Sequence, residues 1–238
     1  MKSLKYLSVL FLVAIAGCGR SPQVPVGPYF SVSDSTWVEF APGNLAPDGQ
    51  GFEPSQLHYG GLFGWGTGNN PGNTSENHLD YPSFHDWGEP LGHGWRTMSV
   101  EEWRYLLFLR PRADSLRATG MVGEAKGLLL LPDNVSLPAD LAFAPGTHGW
   151  SANRYTLAQW QRLEQMGAVF LASPGFRWGT DVYAEGCEGM YWTSSSDDEY
   201  DAHVVYFSGD TLNTTGDDHR FFGNSVRLAR NLSPSSAR

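Results

Sequence analysis

Seven histidines, two cysteines and one dense run of acids are the side chains of this 238-residue sequence with chemistry to offer. The histidines, His58, His78, His85, His93, His148, His203 and His219, include no His-x-His or His-x-x-x-His pair. Such a pair is what turns two imidazoles of one strand or helix toward one metal ion. His85-Asp86, close to His93, is where zinc or acid–base chemistry would be sought, against the more ordinary reading of solvated loop histidines. Asp197, Asp198, Glu199 and Asp201 place four carboxylates in five positions, hard oxygens of the kind calcium takes. They lack the spaced ligands and turn glycine of a calcium loop, so a solvated acidic turn is the favoured expectation. No cofactor is therefore assigned, and calcium is the ion to test. There is no Gly-x-Ser-x-Gly elbow and no phosphate loop to support serine hydrolysis or nucleotide binding.

The nine tryptophans divide by context. Trp65, Trp87, Trp150 and Trp178 lie in Gly-rich or polar loops, where rings could stack on the C–H faces of a sugar. Trp37, Trp103, Trp160 and Trp192 fit the apolar faces of strands or helices. The competing and favoured reading is that nearly all of these rings are core, pinning loops in a body without disulfides.

The elements that would position these residues are legible in part. Tyr29–Val32 and Trp37–Phe40, around Ser33-Asp34-Ser35, read as an opening hairpin. Residues 41–94 are rich in Gly and Asn yet studded with aromatic residues, as expected of long ordered loops. Ser99-Val100-Glu101-Glu102 is a capping box opening a helix with Trp103, Leu106, Leu107 and Arg110 on one face, stopped by Pro111. Gly127–Leu131 is an apolar strand suited to burial on both faces. Thr156 and Gln159 open a second helix with a Leu157, Trp160, Leu163 stripe, ended by Gly167. Residues 168–171, 189–194, 202–207 and 224–230 read as strands. That order predicts one α+β domain.

The amino terminus carries an address. Lys2 and Lys5 precede an apolar run from Tyr6 to Ile15, closed by Ala16-Gly17-Cys18. This is the layout of a secretory signal, too short to be a permanent membrane span. Ile15-Ala16-Gly17-Cys18 resembles the lipobox of bacterial lipoproteins, which implies cleavage before Cys18 and acylation of its thiol. Several acyl chains then hold the chain on the bilayer, at about 0.8 kcal/mol per buried methylene. Residues 1–17 are read as signal peptide, 18–28 as a Pro- and Gly-rich tether, 29–231 as the folded body and 232–238 as a frayed tail. Lys2 and Lys5 are the only charged residues of the leader, so its removal takes the formal charge from −9 to −11. An acidic body repels phosphate backbones and anionic headgroups, so nucleic acid is not an expected partner and the lipid must supply the membrane contact. With Cys18 acylated, Cys187 has no internal partner, which leaves a buried thiol or an intermolecular pair, and buried and inert is the commoner state.

Four segments in order resemble a known family. Phe40–Leu45 is similar to its opening strand, and Gly94-Trp95-Arg96-Thr97 with Glu101–Leu106 to its Trp-Arg and Glu-x-Trp segment. Gly189–Ser195 is similar to its Tyr-Trp-Thr-Ser segment and Gly223–Leu228 to its closing Ser-Val-Arg segment. The family is the Fibrobacter succinogenes major paralogous domain, and Leu62–Gly68 and Gly127–Asp133 resemble segments of Bacteroidetes-type lipoproteins. The resemblance implies a C-type lectin-like fold, distantly shared with formylglycine-generating enzymes, in which Trp37–Phe40 lies beside Val226–Arg230. Glu89-Pro90 is followed by Leu91, which departs from the calcium–sugar motif of animal lectins. A two-thiolate copper site is also out of reach for a chain with Cys187 alone. The expectation is thus a non-catalytic, lipid-anchored envelope binding module for a glycan or envelope protein, on the outer membrane and facing the periplasm. Its alternatives are an enzyme built around His85, Asp86 and Cys187, or a structural, adhesin-like surface component.

Overall fold

The computed structural model describes residues 24–233, a mixed α+β arrangement dominated by antiparallel pairing. Residues 1–23, which include the expected signal peptide and Cys18, and residues 234–238 lie outside the described residues. Among the described residues no helix is long and apolar enough to cross a membrane.

β1 (Phe30–Ser31) and β2 (Trp37–Phe40) form the opening hairpin. Long loops lead to β3 (Trp95–Arg96) and α1 (Val100–Arg104). β4 (Arg117–Val122) and β5 (Ala125–Leu130) follow, then β6 (Arg154–Tyr155), α2 (Leu157–Gln165) and β7 (Val169–Ala172). A short hairpin, β8 (Phe176–Trp178) and β9 (Asp181–Tyr183), precedes a meander of β10 (Gly189–Ser196), β11 (Asp201–Phe207) and β12 (Leu212–His219). The chain closes with β13 (Ala229–Asn231). Three larger sheets result, in the orders β1-β2-β13-β3, β6-β4-β5-β7 and β10-β11-β12.

The two ends of the body meet in the first sheet, where Phe40 pairs with Ala229 and Val38 with Asn231. Of the strand expected over 224–230, only its last two residues belong to a sheet strand. Residues 224–228 instead thread between several partners, with Asn224 N–H donating to Phe63 O, Ser225 to Met190 O, and Val226 O accepting from Leu45. Buried backbone must be paired, and this segment finds its partners in separate loops rather than in one neighbouring strand.

Both helices start as their capping boxes dictate. Ser99 accepts from Glu102 N–H while the Glu102 carboxylate accepts from Ser99 N–H, and Thr156 and Gln159 repeat the exchange. α1 runs on as a π-turn over Tyr105–Leu109, burying Trp103, Leu106 and Leu107. In α2 Trp160 and Leu163 are buried but Leu157 is 57% exposed, so the apolar stripe begins one turn later than the sequence suggested. The interior position of β5, between β4 and β7, explains the leucine run. In β5 and the residue after it, Leu128 and Leu130 enter one apolar cluster with Trp103 and Phe207, while Leu129 and Leu131 enter another with Trp160 and Phe170. β4 carries no such run, because Gly120 lies opposite Gly127 and a side chain at Gly120 would strike Asn153 and Leu129. A third cluster gathers Trp65, Trp87 and Trp192 with Phe63 and Val226.

Candidate functional site

The residues that carried the family resemblance converge on a sealed polar centre. Arg227 is wholly buried, its guanidinium donating to Asn44 Oδ1 at 3.0 Å and to Gln56 Oε1. Asn44 Nδ2 donates to Tyr59 O and to the Tyr191 hydroxyl, which in turn donates to Ala172 O. Gln56 Nε2 reaches Glu164 Oε1 at 2.8 Å. Among the described residues no carboxylate touches Arg227, and burial pulls its pKa down to about 10 while pushing the Tyr191 hydroxyl above its ordinary value. Nearby motif residues do similar work. Arg96 grips the Glu102 carboxylate with two hydrogen bonds, at 2.7 and 2.6 Å, tying β3 to α1. Trp192 Nε1 donates to Phe63 O, Ser195 Oγ accepts from Val100 N–H, and Ser225 Oγ donates to Tyr59 O. Each of these groups is engaged in holding one loop against another. This centre builds the body, and only its rim, Gln56 and Glu164, reaches a cleft, of about 390 Å³.

The catalytic suspects do not assemble either. Asp86 accepts from Gly88 N–H, Thr97 N–H and the Thr97 hydroxyl, a structural carboxylate under the loop. His85 Nε2 sits 3.1 Å from Ser83 Oγ, with no carboxylate orienting its ring. Cys187 overturns the buried-thiol expectation: it is exposed, in the turn after β9 that precedes β10, where backbone bonds to Ala184 leave no apolar cover. The acidic run is a turn. Asp198 caps it by accepting from Tyr200 and Asp201 N–H, which holds its carboxyl below the usual range. Asp197 turns toward His203 at 3.4 Å and Asp201 toward His219 at 2.5 Å, so the carboxylates diverge. Among the described residues no three His, Cys, Asp or Glu side chains are gathered as a metal-ligand set.

Of the four loop tryptophans, Trp65 and Trp87 are corrected to core: they are 3% and 1% exposed and leave no ring face to a ligand. The physical reason lies beneath them, where Phe63, Phe84 and Trp192 need apolar cover that no helix supplies. Trp150 is half-buried against the first apolar cluster. Trp37, Trp103, Trp160 and Trp192 are all buried. Trp178 alone of the four is open, at 50% exposure.

Trp178 belongs to a strip of rings on the β8–β9 hairpin. Phe176 pairs with Tyr183 and Trp178 with Asp181 across its two strands. Cross-strand partners and alternate residues share a face, so Phe176, Trp178, Asp181 and Tyr183 all project the same way. Phe222 backs this face, 5.6 Å from Trp178 and 5.5 Å from Phe176, and Phe176 stacks on Tyr183 at 5.5 Å. Phe221 and His219 extend the strip. The hairpin turns on Gly179, whose φ of +58° suits glycine and whose missing side chain leaves room for the Glu76 carboxylate. Arg177 points the other way, 8% exposed, donating to Gly179 O at 2.8 Å and exchanging backbone bonds with Gly223.

Beside the strip lie two shallow clefts that share the loop from Asn73 to Tyr81. One, of about 260 Å³, is lined by Glu76, Trp178, Thr180, Asp181 and Tyr183. The other, of about 240 Å³, presents Thr67, Asn69, Asn70, Asn73, Asp80 and His85. Of the cations below, Arg220 lies 4.5 Å from the Trp65 ring centre and donates to Tyr81 O and Ser196 Oγ, while Arg177 is buried with one amine unpartnered. The face is therefore aromatic, rich in amides and hydroxyls, and negative. Sequence reasoning found Trp178 but missed Phe176, Tyr183, Phe222, Glu76 and Asp181. The signal was present as Phe-x-Trp and Asp-x-Tyr around Gly179-Thr180, a two-residue hairpin pattern.

No family model matches this chain, and neither a curated protein nor a solved structure shows significant similarity to it.

Proposed function

We propose that this protein is a lipid-anchored, non-catalytic binding module of the bacterial cell envelope, with a C-type lectin-like fold, that presents the ring strip to an envelope glycan or protein. The observation that carries the reading is the half-exposed pair Trp178 and Tyr183. Tyr183 stacks on its cross-strand neighbour Phe176, and Trp178 packs against Phe222 at a tilt of 47°, so each ring is held by another ring rather than covered by the body. Exposed rings that are already immobilised lose little side-chain entropy on binding, which is the economy a recognition surface needs. The pairing of β2 with β13 and the convergence of the motif residues on Arg227 support the fold and the resemblance to the major paralogous domain. The His85, Asp86 and Cys187 geometry supports a binder over a catalyst, since none of the three acts on another. The signal and Cys18 support acylation and an outer-membrane address facing the periplasm, and the negative face weighs against nucleic acid.

The test is retention of the full chain, held in detergent, on immobilised, delipidated envelope material. The reading expects Trp178→Ala to lose retention at unchanged melting temperature; retention equal to the parent would count decisively against the ring strip as ligand face. In cells, labelled palmitate should enter the parent and be absent from Cys18→Ala.

A further inference from the structure

The strip and its clefts say what kind of ligand they suit. We infer that the β8–β9 face takes a neutral polysaccharide chain, with sugar rings laid on Trp178 and Tyr183 and hydroxyls donated to Glu76 and Asp181. This rests on the ligand-face reading above and adds the chemistry of the ligand.

Trp178 and Tyr183 sit diagonally across the hairpin, at positions separated by about 7–8 Å. Two ring faces at that spacing suit consecutive units of a chain better than one isolated small molecule. Their backing by Phe222 and Phe176 fixes both planes in advance. The C–H face of a pyranose is weakly positive, and the face of an indole or phenol is negative, so the two attract when stacked. Glu76 and Asp181 stand at the same cleft without an ion-pair partner among the described residues. A carboxylate accepts two hydrogen bonds side by side, which matches vicinal hydroxyls. The adjoining cleft adds Asn69, Asn70 and Asn73, whose amides both donate and accept, as hydroxyls do.

Charge then discriminates. Every ionisable group lining the two clefts is an acid, apart from His85. Arg177 and Arg220 lie buried beneath: Arg220 donates to Tyr81 O, Asp198 O and Ser196 Oγ, and Arg177 donates to Gly179 O with one buried amine left unpartnered and its charge felt by Glu76. Uronates, sialylated glycans and phosphorylated saccharides would bring like charge to this surface and be rejected. A cationic peptide would satisfy Glu76 and Asp181 but would leave the asparagine amides, which need both donors and acceptors, half used.

The experiment is titration of the full chain in detergent, followed by calorimetry and tryptophan fluorescence. The probes are neutral gluco-, xylo- and manno-oligosaccharides, an oligogalacturonate and an oligolysine. At least one neutral series should bind saturably, tighten with chain length, and weaken about ten-fold in Trp178→Ala and several-fold in Tyr183→Ala. Glu76→Gln should narrow the preference for neutral over anionic saccharide, while Leu157→Ala, on exposed α2 surface, should bind like the parent. The inference is overturned if the oligogalacturonate or oligolysine binds tighter than every neutral series, or if neutral binding survives Trp178→Ala undiminished. It is also overturned if no saccharide binds. In that last case, loss of envelope retention in Trp178→Ala would leave the ligand face standing without its sugar, and retained binding would remove both.

Discussion

Two regions of this protein use the same residue types to opposite ends. Around Arg227, an arginine, a tyrosine and amides are closed from water and bonded to one another, with the exposed Glu164 carboxylate at their rim. On the β8–β9 hairpin, tryptophan, tyrosine and carboxylates stand open, braced from behind and unbonded in front. The first region is bonded throughout apart from Arg227 Nε, and the second has capacity left over on its outer side. Saturation marks what holds a fold together, and spare capacity on a rigid support marks what a fold is for. The motif residues that make the chain look familiar fall almost wholly in the first region, so likeness in motif speaks to the scaffold and says little of the ligand.

That contrast can be broken by substitution, and the largest effect should fall at the sealed centre. Arg227→Ala leaves Asn44 and Gln56 without their partner and opens a cavity, for an expected loss of about 3–5 kcal/mol in chemical denaturation. A loss under about 1 kcal/mol would mean the centre is not what holds the loops. Next comes Asp218 on β12, where burial raises the carboxyl pKa to about 6, with Asn224 Nδ2 donating to it at 2.9 Å. The folded value exceeds the unfolded one, so the favourable contribution is complete below about pH 4 and is lost as pH rises through about 6. Asp218→Asn should remove that slope and stabilise the protein near neutrality by on the order of 2 kcal/mol, as read from melts across pH. A slope of the opposite sign would refute the assignment. On the open face, Trp178→Ala should cost roughly 1 kcal/mol or less in stability, because half of the ring is already in water. Least of all, Cys187→Ser should shift stability by less than about 0.5 kcal/mol, and native Cys187 should react with a thiol reagent without unfolding.

Much of the scaffold was legible because local rules and global burial agree there. Ser99 with Glu102 and Thr156 with Gln159 announce both helices, and Leu128–Leu131 announce a strand facing two cores. β12 was hidden because Asn213–His219 is held by backbone pairing to β11 and carries hardly any apolar alternation. β4 was hidden because its close approach to β5 and Asn153 requires small residues in place of a hydrophobic run. The tryptophans show the limit most clearly. Trp65 and Trp178 both sit between glycine-rich neighbours in sequence, and only the surrounding chain makes one core and the other surface. The candidate site depends on Phe222 arriving behind Trp178 from more than 40 residues away, and no local pattern records that meeting.

The most direct test of the central contrast is the binding isotherm of the Trp178→Ala full chain on delipidated envelope material, taken beside its melting curve. Affinity about ten-fold weaker with a melting temperature within a few degrees of the parent is the predicted result. Parental affinity in that variant would contradict the assignment of recognition to the open ring strip.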